Sequence, residues 1–188
     1  MDMIPIPSQT AGPFFHLGCT GSGSAASLAS DAAKGEHIRL TCRVLDGDDM
    51  PVHDAMIELW QANSEGKYHH AADAQTKPID PAFSGFGRLA TDTKGSCTFT
   101  TIKPGCVPGP ANTMQAPHIN VSVFARGILN RLATRVYFAG DPANQDDPIL
   151  ALAPVERRPT LMAQLTGQGE WSFEIHLCGE SETVFFDV

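Results

Sequence analysis

Residues 118–124 read His-Ile-Asn-Val-Ser-Val-Phe, and polar and apolar side chains alternate along this stretch as far as Val123. Alternation of this kind predicts a β-strand that is buried on one side, because successive side chains of a strand point to opposite faces. His118 and Asn120 are therefore expected on the same, polar face. The preceding residues 103–110 contain three prolines and two glycines, which predicts a long loop that can fold over that face.

Similar short segments recur along the chain and are separated by turn-forming residues. Seven of them, in addition to residues 118–124, have the composition or the alternation of strands: 37–45, 55–62, 87–92, 96–102, 132–138, 171–177 and 183–188. Only residues 160–165 have a modest helical pattern. About eight short strands, mostly antiparallel and joined in places by long loops, predict an all-β fold, namely a β-sandwich.

The N-terminal region is expected to lie outside this sandwich. Its first 20 residues contain prolines at positions 5, 7 and 13 and a glycine at position 12, which predicts an extended N-terminal arm and not a helix. The apolar residues of the arm need cover, either from their own domain or from a partner chain. At 188 residues the chain suits a single domain over residues 1–188, with residues 1–34 as arm and linker.

The composition limits the classes of partner and the compartment. The net charge of −8 argues against a nucleic-acid partner, because proteins that hold phosphates carry an excess of basic residues. No apolar run reaches the roughly 20 residues that cross a bilayer, and the first residues, Met-Asp-Met-Ile-Pro, lack the features of a secretory signal. The five cysteines are scattered and odd in number, which favours reduced thiols in a cytoplasmic protein over a disulfide framework.

The polar face of the strand at residues 118–124 raises the question of a metal site. A His-x-His pair would supply two ligands on one face, but Asn120 stands at the second position. A neutral amide is a poor ligand for ferric iron or zinc. From the residues alone, His118 is either part of a metal site that lacks a ligand or a histidine hydrogen-bonded within a polar pocket.

A long loop over residues 69–84 follows Tyr68. Loops of this length in compact domains are often functional, and a tyrosine phenol can bind ferric iron. Two interpretations of His69, His70 and Asp73 stay open at this point. They either complete an iron site with Tyr68 or are solvated loop residues.

Four segments, in this order along the chain, resemble the intradiol ring-cleavage dioxygenases: Ile57–His69, Gly85–Asp92, Thr101–Gly105 and Ala116–Gly127. The resemblance extends from Pro7 near the start of the chain to Asp187 near its end, so it covers nearly the whole sequence. It implies a β-sandwich that takes part in the O2-dependent cleavage of a catechol ring at ferric iron.

In this family two tyrosines and two histidines bind the iron. Matched residue by residue, Tyr68 stands at the position of the first tyrosine and His118 at that of the first histidine. Val107 and Asn120 stand where the second tyrosine and the second histidine would be. The resemblance therefore implies that this chain holds no metal and that these four residues occupy vestigial ligand positions.

A chain with this pattern resembles the α subunit of a two-chain member of the family, in which the β subunit carries the Fe(III). The resemblance implies a higher-order αβ oligomer that cleaves 3,4-dihydroxybenzoate (protocatechuate) with O2 to 3-carboxy-cis,cis-muconate. It also implies that the α subunit helps to line the substrate cleft with Thr10, Gly12, Pro13 and Arg126.

Other interpretations of these residues stay open at the level of the sequence. Arg126 is either a surface charge or a residue whose planar guanidinium binds a carboxylate. Arg131 and Arg135 match no family role. The chain as a whole is alternatively a free-standing dioxygenase, with a modified iron site built from Tyr68, His118 and loop ligands. A third alternative is a β-sandwich binding module without chemistry.

Overall fold

The computed structural model describes residues 10, 12–21 and 25–187, with the backbone alone for residues 13–16. Within these residues the regular structure is mostly β-strand. The strands are β1 (His37–Leu45), β2 (Met56–Trp60), β3 (Phe86–Ala90), β4 (Ser96–Ile102), β5 (Val107–Pro108), β6 (Met114–Gln115), β7 (His118–Phe124), β8 (Leu132–Phe138), β9 (Met162–Gly167) and β10 (Glu170–His176). The described helices are α1 (Pro13–Thr20) and short 3-10 helices at Pro110–Asn112, Pro142–Asp146, Leu150–Leu152 and Arg158–Leu161.

Eight of these strands form one sheet in the order β3-β2-β7-β8-β9-β10-β1-β4, and β5 pairs with β6 in a small hairpin beside it. Strand β9 joins the two halves of the sheet, because it pairs with β8 in parallel and with β10 in antiparallel orientation. The pair β1–β10 is also parallel, and the remaining pairs are antiparallel. The prediction of an all-β, mostly antiparallel fold is confirmed.

One apolar core is shared by the two halves of the sheet. On β7, Ile119, Val121 and Val123 are each at most 1% exposed and pack among apolar residues of β1, β4, β8 and β10. Burying an aliphatic side chain of this size contributes about 1.5–3 kcal/mol, so this face fixes the orientation of the strand. His118 and Asn120 are left on the other face, as the alternation predicts.

An irregular segment at residues 25–30 covers the edges of β3 and β4. Ala25 exchanges two backbone hydrogen bonds with Arg88 of β3, and Leu28 donates to the carbonyl of Thr100 of β4. The Leu28 side chain packs so closely on Gly87 that a Cβ there would lie 2.5 Å from it. This segment therefore satisfies backbone groups that two unpaired edge strands would otherwise expose.

The prediction of extended backbone throughout the first 20 residues is wrong for Pro13–Thr20, which forms the helix α1. Gly12 is the N-cap and Pro13 occupies the first turn. Proline is well tolerated there because its missing N–H has no partner in the first turn of any helix. The other arm residues that carried this prediction, 1–9, lie outside the described residues.

Two further expectations differ near the C-terminus. Residues 162–167, part of which has a helical pattern, form strand β9, because pairing with β8 and β10 overrides a weak local preference. Residues 183–187 form no regular strand, although the Phe186 amide donates to the Ala133 carbonyl at 2.8 Å. None of the helices in the described ranges has the length and apolar character that crossing a bilayer requires.

Candidate functional site

The polar face of β7 borders a pocket of about 630 Å³ whose other walls come from β5, β8, the end of β2 and the loop at residues 68–75. Tyr68, Val107 and His118 line this pocket. Asn120 contacts Tyr68, although the two residues are 52 positions apart in the sequence. The fold therefore brings together all four positions that the sequence matched to iron ligands.

His118 is 3% exposed, and its Nδ1 lies 2.7 Å from the carbonyl oxygen of Ala116. A carbonyl only accepts hydrogen bonds, so Nδ1 carries the proton and Nε2 has the free lone pair. Burial, together with the positive charge of Arg135, lowers the pKa of His118 to about 4. His118 is therefore a neutral imidazole near neutral pH.

Tyr68 stacks on Trp60, with ring centroids 5.8 Å apart and planes inclined by 19°. Burial raises the pKa of the Tyr68 phenol, and this effect outweighs the lowering by the Asn120 hydrogen bond and by Arg135. Near neutral pH the side chain is therefore a neutral phenol.

Asn120 is fixed by two hydrogen bonds from its side-chain amide nitrogen. Nδ2 donates to the carbonyl oxygen of Trp60 at 3.1 Å and to Oη of Tyr68 at 3.2 Å. Val107, which is 4% exposed, adds an apolar surface without any donor atom. Of the four positions, two therefore present a ligand atom suited to iron, the phenol of Tyr68 and Nε2 of His118.

The loop after Tyr68 carries His69, His70 and Asp73, the candidates for replacement ligands, and His70 and Asp73 line the same pocket. His69 faces a separate pocket, and Nδ1 of His70 accepts a hydrogen bond from the backbone of Ala72 at 3.1 Å. Nowhere in the described part of the chain do three or more His, Cys, Asp or Glu side chains converge in a way that could hold a metal. A donor set of one phenol and one imidazole does not fit a ferric ion, which needs more anionic or imidazole ligands.

Lys67 and Asp73 hold this loop in place. Lys67 Nζ lies 3.2 Å from Asp73 Oδ1, with both side chains less than 10% exposed, and it also donates to the Gln75 carbonyl at 2.7 Å. Burial raises the pKa of Asp73, but backbone N–H groups of Gln75 and Tyr68 and the Lys67 ammonium outweigh it and lower the pKa to about 2. Sequence reasoning gave Lys67 no role.

Arg135 is a second residue whose place in the pocket the sequence did not reveal. It pairs with Asn120 across β7 and β8, and Tyr137 pairs with His118. Arg135 Nη1 donates to Gln115 Oε1 at 2.7 Å. The alternation of residues 132–138 predicts that Arg135 and Tyr137 share one face of a strand. It does not predict that this strand pairs with β7, and this pairing is what brings Arg135 to the pocket.

A buried carboxylate supports the start of β7 from behind the pocket. Asp147 is 1% exposed and accepts hydrogen bonds from the Tyr137 hydroxyl at 3.1 Å and from the Ala116 amide at 2.7 Å. The amides of Ile149 and Leu150 also donate to it. Asp147 thereby links the His118–Tyr137 pair to the loop after β8.

The residues matched to the substrate cleft lie at the other end of β7. The Gly127 amide donates to Thr10 Oγ1 at 2.8 Å, which brings the N-terminal segment beside Arg126. The Arg126 side chain is 67% exposed and is paired with Asp54. Gly12 is exposed at the start of α1.

The two sites are therefore separate within this chain. The strand from His118 to Phe124 spans about 20 Å, and Arg126 follows its far end. The structure brings Thr10 and the Arg126–Gly127 backbone together but does not bring Arg126 to the His118 pocket. The side chain of Pro13 and the whole of Ala11 lie outside the described residues.

Comparison with known proteins adds independent information. Residues 10–178 match the model of the family described as "Dioxygenase". The chain is 41% identical to the protocatechuate 3,4-dioxygenase alpha chain of Pseudomonas putida, covering 100% of this chain and 98% of that one. It is 39% identical to the protocatechuate 3,4-dioxygenase beta chain of Burkholderia cepacia, over 79% of this chain and 67% of that one.

A solved structure shares the fold. The dioxygenase domain of a dioxygenase and carbohydrate-binding protein fusion from Streptomyces sp. SirexAA-E superposes with a TM-score of 0.62 at 26% identity. The match covers 94% of this chain and 99% of that domain.

Proposed function

This chain belongs to the intradiol ring-cleavage dioxygenase family, and we propose that it is the α chain of a protocatechuate 3,4-dioxygenase. In this proposal it pairs with a related β chain that binds the Fe(III), and the pairs assemble into a higher-order αβ oligomer. The complex cleaves 3,4-dihydroxybenzoate with O2 to 3-carboxy-cis,cis-muconate. Both oxygen atoms enter the product, so the reaction needs no further oxidant.

The observation that carries the proposal is the donor set of the pocket around His118. Val107 has no donor atom, and the Asn120 amide is occupied by Trp60 and Tyr68. The family's chemistry needs iron, so a chain with this pocket needs a partner that supplies it. The likeness to an alpha chain over the full length and to a beta chain over most of it supports a two-chain enzyme.

We assign this chain a share in the substrate cleft through Thr10, Gly12, Pro13 and Arg126. The hydrogen bond between Thr10 and the Gly127 amide supports this assignment, because it places two segments that are far apart in the sequence side by side on one surface. Arg126 offers positive charge and a planar fork that suits a carboxylate. Gly12 has no side chain, and none of the described atoms lies within 4 Å of its Cβ position, which leaves room for a close neighbour.

The proposal places the complex in the cytoplasm. All five cysteines are free thiols, as expected in a reducing compartment. The two chains are expected to bury more than about 2,000 Å² in total, the range of permanent complexes.

Co-purification and metal analysis test this function. The chain is produced alone, and also together with a related chain from the same genome that carries Tyr and His at the positions matching 107 and 120. We expect a stable complex whose iron stays with the partner when the chains are separated, and which consumes O2 with 3,4-dihydroxybenzoate. Iron bound one to one, or turnover, by this chain alone would establish a free-standing enzyme. Failure of the two chains to associate would favour a binding module.

A further inference from the structure

The proposed function assigns no role to the pocket around His118. This pocket keeps a volume of about 630 Å³, within the range of small-molecule sites, although its donor set does not fit iron. The pocket therefore has the dimensions of a ligand site in a chain with no metal chemistry of its own.

One wall of the pocket is aromatic. Trp60 and Tyr68 stack with their planes inclined by 19°. The His70 ring is edge-on to Trp60, with ring centroids 6.3 Å apart. Val107 and Pro108 add aliphatic surface. Aromatic faces of this kind favour a planar ring, which packs against them in an offset-stacked or edge-on arrangement.

The charge in the pocket comes from Arg135. Asp73 also lines the pocket, but its negative charge is offset by the ion pair that it forms with the buried Lys67. Arg135 lines the pocket and, among the described residues, its hydrogen bonds involve only Nη1. Its Nε and Nη2 groups are thus available, and a guanidinium in this state suits a carboxylate.

A hydrogen-bond acceptor completes the site. The Nδ1 proton of His118 is used by the Ala116 carbonyl, and in the described residues Nε2 has no hydrogen-bond partner while the ring lines the pocket. Nε2 is therefore an acceptor that a molecule in the pocket can reach. A ligand hydroxyl can donate a hydrogen bond to Nε2.

We propose that this pocket is a metal-free binding site for a small, planar, hydroxylated aromatic carboxylate. The ring packs against Trp60 and Tyr68, the carboxylate accepts hydrogen bonds from Arg135, and a ring hydroxyl donates to His118. The site is distinct from the Thr10 and Arg126 surface and involves no bond-making step.

Titration of the full-length chain with 4-hydroxybenzoate tests the proposal, with calorimetry and tryptophan fluorescence as readouts, since Trp60 lines the pocket. If the chain requires its partner to stay folded, the complex is used, and the expected stoichiometry is about one ligand more per αβ pair than the partner binds. On the unmodified protein, the neutral analogue 4-hydroxybenzamide should bind at least about tenfold more weakly, because the charged hydrogen bond is lost. This comparison needs no variant.

Arg135→Gln should also lower the affinity for 4-hydroxybenzoate at least about tenfold. The matched control is Arg131→Gln, which removes an exposed arginine next to β8 that does not line the pocket, and it should leave binding unchanged. Circular dichroism and the thermal midpoint check that both variants fold. Absence of saturable binding, equal binding of the acid and the amide, or equal losses in the two arginine variants would overturn the proposal.

Discussion

The side-chain amide of Asn120 donates a hydrogen bond to the phenolic oxygen of Tyr68 at 3.2 Å. The same nitrogen also donates to the Trp60 carbonyl at 3.1 Å, so Asn120 ties the stacked Trp60–Tyr68 pair to β7. A histidine at this position would instead offer a lone pair to a metal. The two side chains at these matched positions are thus neutral and hydrogen-bonded to each other.

A phenol at position 107 together with an imidazole at position 120 should give the chain an iron site. The double variant Val107→Tyr with Asn120→His presents two phenols and two imidazoles in one pocket, a set that suits ferric iron. We expect about one iron per chain and a visible ferric-phenolate absorption, whereas the unmodified chain gains neither. Metal analysis and absorbance after exposure to ferric iron and removal of the excess measure the difference.

The matched control for this experiment combines Val107→Tyr with Ser122→His. Ser122 lies two residues beyond Asn120 on the same face of β7 and pairs with Glu58, away from Tyr68. This variant has the same added side chains but should not bind iron. Equal iron in the two double variants would show that the position of the imidazole is irrelevant and would contradict the prediction.

In the assembled enzyme, Arg126→Gln should lower kcat/KM for 3,4-dihydroxybenzoate about tenfold or more, the effect of one charged hydrogen bond. Catechol, which lacks the ring carboxylate, should be affected less. Iron content and assembly should not change, because Arg126 is largely exposed. Steady-state kinetics with both substrates measure the effect.

Arg39→Gln provides the control for Arg126, since Arg39 is also an exposed arginine in a surface ion pair, with Glu170. It should leave both substrates unaffected. Equal losses with catechol and with 3,4-dihydroxybenzoate in Arg126→Gln would rule out carboxylate recognition. Unchanged kinetics with both would remove Arg126 from the cleft.

The pH dependence of stability should carry the signature of His118. Burial and Arg135 lower its pKa from 6.5 to about 4, so between these values the unfolded chain binds more protons than the folded one. The free energy of unfolding should therefore decrease as pH falls from 6.5 to about 4. Below about pH 4 both states are protonated at this residue, so His118 causes no further change. Above pH 6.5 both states are neutral at this position and the contribution is constant.

Urea denaturation of the unmodified chain and of His118→Gln over this pH range isolates the contribution. The loss of stability between about pH 6.5 and about pH 4 should be smaller in the variant, because glutamine does not titrate. His53→Gln, at an exposed position, is the control and should follow the unmodified chain. Parallel curves for His118→Gln and the unmodified chain would contradict the assignment.

Asp147→Ala should destabilise the fold by at least about 3 kcal/mol, because it leaves several buried donors without an acceptor. These donors are the amides of Ala116, Ile149 and Leu150 and the hydroxyl of Tyr137. Asp146→Ala, at the exposed neighbouring residue, should change stability by less than about 0.5 kcal/mol. Urea denaturation measures both, and similar values for the two variants would show that Asp147 does not anchor β7.

The alternation of polar and apolar residues was sufficient to predict individual strands and the faces on which their side chains lie. The alternation of residues 118–124 predicted both the strand and the common face of His118 and Asn120, since the pleat repeats every two residues. It failed for strand β9 and for helix α1. Strand β9 is fixed by its neighbours β8 and β10, and α1 forms although Pro13 had suggested extended backbone.

The candidate site divides in the same way between sequence and structure. The sequence by itself determined the residue types at the four positions matched to iron ligands, including Val107 and Asn120, whose side chains are poor donors to a metal. Only the tertiary structure decided that Asn120 bonds to Tyr68, 52 positions away, and that Arg135 lies beside His118 in the same pocket. Whether a side chain can donate electrons to a metal depends only on the residue type. Which side chains meet depends on the register of the strands, and that register is set by the packing of segments that are distant in the sequence.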